Sequence, residues 1–154
     1  MPSARDIMTI NVVSVKNEDS VDKVADVLLD SGHHSMPVLD EGGRVCGMIS
    51  QKDLIDAQLK VHLPTVITIL DSFIPLGGYK EFAEDLRKTT ATTAIQLASR
   101  DLVTVAAEET VEAVAEKLSH SHVHALPVVG TGRQLLGIIT RSDVLRALLH
   151  KDKR

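Results

Sequence analysis

Two short stretches carry residue types that could hold a small polar ligand. Gly47-Met48-Ile49-Ser50-Gln51-Lys52-Asp53 sets a hydroxyl three residues before a carboxylate. Ninety positions later, Gly137-Ile138-Ile139-Thr140-Arg141-Ser142-Asp143 does the same. At a strand-to-helix junction this spacing suits a capping box, with the hydroxyl as N-cap and the carboxylate at the third helical position. It also suits a helix N-terminus that faces a cleft and attracts an anion. There the hydroxyl can meet a phosphate while the carboxylate accepts hydrogen bonds from two ribose hydroxyls. Both readings can hold at once, so Ser50, Asp53, Thr140 and Asp143 head the candidate residues. His34 and His124 stand three residues before Pro37-Val38 and Pro127-Val128, and on their own they read as half-buried turn histidines.

Other chemistry has less support. His120-Ser121-His122-Val123-His124 would bring three imidazoles to one face of an extended segment, as a zinc, copper or nickel site needs. His120 falls at a predicted helix end, which breaks the alternation, and no Cys or acidic cluster adds ligands. No metal site is expected. Ser, His and Asp are plentiful, but there is no nucleophile elbow, no phosphate-cradling Gly loop and no paired-acid arrangement, so the chain does not read as an enzyme. Cys46, the only cysteine, lies in an apolar run and reads as inert core.

The elements that must position these residues come in two copies. In the first, Val12 to Val15 is a β-branched strand candidate and Ser20 a helix N-cap. Val21, Val24, Ala25 and Leu28 then lie on one helical face, which Ser31-Gly32 closes. Met36–Leu39 and Val45–Ile49 flank the turn Asp40-Glu41-Gly42-Gly43 as a hairpin, and a helix after Ser50 carries Leu54, Ile55 and Leu59. In the second copy the strand runs from Leu102 to Val105, Thr110 caps a helix with Val111, Val114, Ala115 and Leu118, and Leu126–Val129 pairs with Leu135–Ile139. Val144, Leu145, Leu148 and Leu149 belong to the last helix. From Val12 to Leu54, fifteen of forty-three positions are identical to their partners ninety residues on. Such a unit is too small to bury its own apolar face, so the two should pack together as an α/β (α+β) module. The expected division is repeat 1 at 1–59, a connector at 60–93 with helix around Lys80 to Lys88, and repeat 2 at 94–154.

Composition narrows the partners. Seventeen basic against twenty-one acidic residues give a formal net charge of −4, without the basic face that a nucleic-acid binder needs. Phe73, Tyr79 and Phe82 are the only aromatics and all lie between the repeats, so base stacking has no platform there. The stretch Val61 to Leu76 is broken by His62, Pro64, Asp71 and Pro75 and makes a poor membrane span. The segment Met1 to Asp6 lacks an apolar signal core. A soluble protein in a reducing, cytoplasmic setting is expected.

The duplicated Pro-Val, the Gly-x-x-Ser/Thr-x-x-Asp and the apolar helix before both resemble a cystathionine β-synthase (CBS) domain pair, or Bateman module, over nearly the whole chain. Arg5-Asp6-Ile7-Met8-Thr9 also looks like that family's opening segment; its counterpart Ile95-Gln96-Leu97-Ala98-Ser99 lacks the Asp and Met. The resemblance implies two repeats about a pseudo-twofold axis, with regulatory ligands in the clefts between them. It implies that Asp53 and Asp143 grip a ribose and that Ser50 and Thr140 approach a phosphate. His34 and His124 would be turned towards phosphates, with Asp53 facing His124 and Asp143 facing His34. Lys52 and Arg141 would add positive charge. Adenine would lie against aliphatic side chains, for which Val38, Val45, Val128 and Leu135 are candidates. No cofactor is required. The implied ligand is AMP, ADP or ATP, with S-adenosylmethionine as the alternative. A ligand-free module for dimerisation or docking on another protein is the rival reading. In similar proteins the outer helix faces meet a second copy, so a homodimer is expected, with the helices after Asp53 and Asp143 at its interface and the connector over one edge.

Overall fold

The structure, a computed structural model, describes residues 2–59 and 92–149. The helix expected around 80–88, the three aromatic residues and the packing of the connector lie outside the described residues.

Each copy is built as strand, helix, strand, strand, helix. In the first, β1 (Val15–Lys16) leads to α2 (Val21–Ser31), β2 (Ser35–Leu39), β3 (Val45–Ser50) and α3 (51–59), with the short α1 (Ala4–Ile7) ahead of them. In the second, α4 (Ala94–Leu97) precedes β4 (Val105–Ala106), α5 (Val111–His120), β5 (Ala125–Val129), β6 (Leu135–Thr140) and α6 (Arg141–Leu149). Each sheet has three strands with the Pro-Val strand in the middle: β1 runs parallel to β2 and β2 antiparallel to β3, and β4, β5 and β6 repeat this. The first strands are shorter than their β-branched runs suggest. Only Val15 and Lys16, or Val105 and Ala106, reach the pairing register.

Local signals set the helix ends. Ser20 accepts a hydrogen bond from the Lys23 N–H at 3.2 Å, and Thr110 accepts one from Ala113. Gly32 takes the left-handed conformation past the last turn of α2, with φ of 71°.

The two opening helices cross over. Ala4 and Arg5 donate to the carbonyls of Glu109 and Ala107, and Thr9 exchanges two backbone hydrogen bonds with Ile138. In the other direction, Ala94 and Ile95 donate to Asp19 and Asn17, and Ser99 exchanges two with Met48. Ala4 is thus buried in the core of the second repeat, with Val114, Leu126 and Ile139, while Ala94 is buried in that of the first, with Val24, Val38 and Ile49. The glycines of the duplicated motif make room for this. A Cβ on Gly47 would stand 2.9 Å from that of Ala98, and one on Gly137 would stand 2.8 Å from the Thr9 carbonyl oxygen.

The halves meet where β2 and β5 touch, about a pseudo-twofold axis. Residues ninety positions apart touch across it: Arg44 forms a β-bridge with Gln134, and His34 stands against His124. Among the described residues, no helix is long and apolar enough to cross a membrane.

Candidate functional site

Both capping boxes form. The Ser50 N–H donates to Asp53 Oδ2 at 2.9 Å, and the Asp53 N–H donates to Ser50 Oγ at 3.2 Å. The Thr140 N–H donates to Asp143 Oδ2 at 2.8 Å, and the Asp143 N–H donates to Thr140 Oγ1 at 3.3 Å. Each box starts a helix at the edge of the inter-repeat contact, so the positive dipole ends of α3 and α6 open there.

Two clefts lie at these helix starts. The first, about 470 Å³, is lined by Ser50, Gln51, Lys52 and Asp53 of one repeat and by His122, Val123, His124 and Ala125 of the other. His34, Ser35, Met48, Ile49, Ile55 and Ser99 complete it. The second, about 280 Å³, is lined by Thr140, Arg141 and Ser142 together with His33, His34 and Ser35. Its remaining walls are Thr9, Asn11, Val12, Val13, Gly32, His124, Ala125 and Ile138. The first cleft therefore brings Asp53 and His124 to one space. The second brings Thr140, Arg141 and His34 together, but Asp143 does not line it.

The charged groups differ in how they are held. Lys52 Nζ pairs with Asp56 at 2.7 Å, and that carboxylate pushes the ammonium above the usual lysine range. Arg141 has no ion-pair or hydrogen-bond partner among the described residues. The imidazole rings of His34 and His124 lie 5.4 Å apart, centre to centre, and border both clefts.

The four residues put forward for adenine lie away from both clefts. Val38 and Val128 sit on central strands covered on both faces, and they are fully buried in the two cores. Val45 is buried, Leu135 is half-buried, and none of the four lines either cleft. The apolar walls are instead Met48, Ile49, Ile55 and Val123 in the first cleft, and Val12, Val13 and Ile138 in the second. A strand's outward alternation marks Met48 and Ile138. Nothing local marks Val12 and Val13, which are carried there by the crossing segment.

Of the three histidines weighed for a metal, His120 ends α5 with Nδ1 2.8 Å from the Glu116 carbonyl oxygen, while His122 and His124 turn to the clefts. Among the described residues, no three His, Cys, Asp or Glu side chains group as a metal site. Cys46 is half-buried and its Sγ donates to the Val38 carbonyl at 3.3 Å. Burial, helped by the Asp40 charge, pushes the thiol up, away from the reactive thiolate.

The CBS domain family matches residues 4–60 and again residues 94–150. The chain belongs to the CBS-domain family. As a CBS pair it is 27% identical over 154 residues to the uncharacterized protein MJ1426 of Methanocaldococcus jannaschii, covering 94% of this chain and 90% of that one. Other curated relatives are longer, and this CBS pair spans only 21% to 43% of their length. Among solved structures it resembles CBSX2 of Arabidopsis thaliana in complex with AMP, with a TM-score of 0.77, 24% identity and coverage of 99% and 100% of the two chains. It also resembles the CBS domain pair of protein MJ0100 in complex with 5′-methylthioadenosine and S-adenosyl-L-methionine, with a TM-score of 0.69, 22% identity and 99% of each chain covered. At these identities the likeness establishes the fold, two three-stranded α+β repeats.

Proposed function

We propose that this CBS pair is a non-catalytic regulatory module that binds an adenine nucleotide, AMP, ADP or ATP, in the clefts between its repeats. The observation that carries this reading is the first cleft. Ser50 and Asp53 stand there at a helix N-terminus, opposite the His122–Ala125 segment of the other repeat. Its volume of about 470 Å³ falls within the range common for small-molecule sites. Asp53 spends Oδ2 on the cap, which leaves Oδ1 to accept from a ribose hydroxyl. Ser50 Oγ accepts from Asp53 and keeps its own O–H to donate. The AMP complex of CBSX2 supports the choice of ligand class.

S-adenosylmethionine is the second reading. It is favoured by the pairing of Lys52 with Asp56, which leaves the first cleft without an unpaired lysine to repel a sulfonium. The complex of the MJ0100 pair supports it as well.

A thermal-shift panel of AMP, ADP, ATP and S-adenosylmethionine tests the proposal. A ligand that binds only the folded chain, at a hundredfold its dissociation constant, adds about 2.7 kcal/mol of stability. At least one of the four is expected to raise the melting temperature. No shift with any of them would favour a ligand-free association module instead.

A further inference from the structure

We infer that the two clefts are not equivalent: the first holds the nucleoside part of its ligand through Asp53, and the second selects for phosphate through Arg141. This rests on reading the clefts as adenosyl sites, and it assigns each a different chemical preference.

The case is made by comparing residues ninety positions apart. At the first position of the helix, repeat 1 has Gln51, whose side-chain amide donates to the His33 carbonyl at 3.0 Å. Repeat 2 has Arg141, a cation that no described carboxylate neutralises and that borders the second cleft. At the next position Lys52 is tied to Asp56, while its counterpart is the neutral Ser142. His34 and His124 border both clefts and so do not distinguish them. The side-chain cation left to meet a phosphate belongs to the second cleft. A guanidinium also presents paired donors in the geometry a phosphate accepts.

The carboxylates differ in the opposite sense. Asp53 lines its cleft with Oδ1 unspent. Asp143 does not line the second cleft, and its Oδ1 faces the Arg146 guanidinium at 3.5 Å. The residue at the same place in repeat 1 is Asp56, so the charge beside the box is reversed between the halves. The hydroxyls follow suit. Thr140 donates its O–H to Asp143 Oδ2 at 2.9 Å, whereas the Ser50 O–H donates to no described residue and is open to a ligand. One cleft thus offers a free acceptor and a free hydroxyl, which suit a ribose. The other offers, at a helix N-terminus, a guanidinium with no partner among the described residues, which suits an anion. Arg141 also borders the groove between α5 and α6, and a phosphate in the cleft is what would hold it inward.

Calorimetric titration with adenosine and with AMP separates the possibilities. The wild-type chain is expected to bind one adenosine and two AMP per chain. Asp53→Asn keeps an oxygen for the cap and should weaken adenosine about tenfold or more, while one AMP site remains. Arg141→Gln removes no bond to any described residue and should weaken one AMP site about tenfold or more. It should leave adenosine affinity as it was, because Arg141 does not line the first cleft. Two equal adenosine sites, or two AMP sites indifferent to Arg141→Gln, would overturn the inequality while the adenosyl reading stood. No heat with either ligand on the wild-type chain would overturn both.

Discussion

His34 and His124 face each other across the pseudo-twofold axis, ring centres 5.4 Å apart and planes tilted by 36°. Each borders both clefts, so the imidazoles form a common wall between them. A ring N–H can donate to a phosphate in either cleft. His34→Ala and His124→Ala should therefore each weaken AMP about fivefold or more in a calorimetric titration. Unchanged AMP affinity in both variants would leave the two as turn histidines.

Gly137 is where the crossing segment presses closest. An added Cβ would meet Met8 Sδ at 2.6 Å and the Thr9 carbonyl oxygen at 2.8 Å, and the second of these is backbone bonded to Ile138. Gly137→Ala should therefore cost about 1–3 kcal/mol, as overpacking does. Urea denaturation measures it. An unchanged midpoint would mean that residues 2–9 do not pack on the second repeat as described.

Much of this arrangement can be read in the chain. The duplication, the hairpins, the helix caps and both Ser/Thr-to-Asp boxes follow from local hydrogen-bonding chemistry, and they appear where the residues put them. Ser3 with Asp6 and Thr93 with Gln96 form two more boxes at the same offset, at the starts of α1 and α4. These were a usable signal for the second opening segment despite its missing Asp and Met. The crossing of those helices was not legible, because it depends on which repeat accepts the Ala4 and Ala94 N–H groups, a tertiary choice. The burial of Val38 and Val128 has a related cause. Val38 and Val128 look available on a half-buried strand, but a central strand covered on both faces has no open side.

Asp19 links local charge to that crossing. Its carbonyl holds the Ala94 N–H at 2.8 Å, and its carboxylate accepts from the Lys16 N–H at 2.9 Å and pairs with Lys23 at 3.2 Å. The Lys16 hydrogen bond, with Lys23 adding to it against the cost of burial, holds this carboxyl below its ordinary value. A group depressed on folding stabilises the fold above its unfolded value, near ~4, and that contribution fades as pH falls through the folded value. Asp19→Asn should be less stable than wild type at pH 7, with the gap narrowing by pH 3. A gap that is equal at both pH values would remove the carboxylate from the account.

The outer faces of α3 and α6 are apolar and open: Leu59 is 53% exposed, Leu145 58% and Leu149 68%. Apolar side chains grouped on exposed helices mark an interface more often than a solvated face. We expect a second copy to cover them, with light scattering at micromolar concentration giving twice the 16.7 kDa chain mass. Leu145→Glu should shift the population towards monomer. A monomeric wild-type chain, with and without nucleotide, would contradict this.

The central claim is that Asp53 grips the ribose of an adenosyl ligand in the first cleft. Its most direct measurement is calorimetric titration of AMP into the wild-type chain and Asp53→Ala. Loss of hydrogen bonds to a carboxylate should cost on the order of 1.5–3 kcal/mol at one site. The lost cap should cost only about 1 kcal/mol of folding stability. The account predicts one AMP site weakened at least tenfold in a chain that still melts cooperatively. Equal affinity and equal stoichiometry in the two proteins would contradict it.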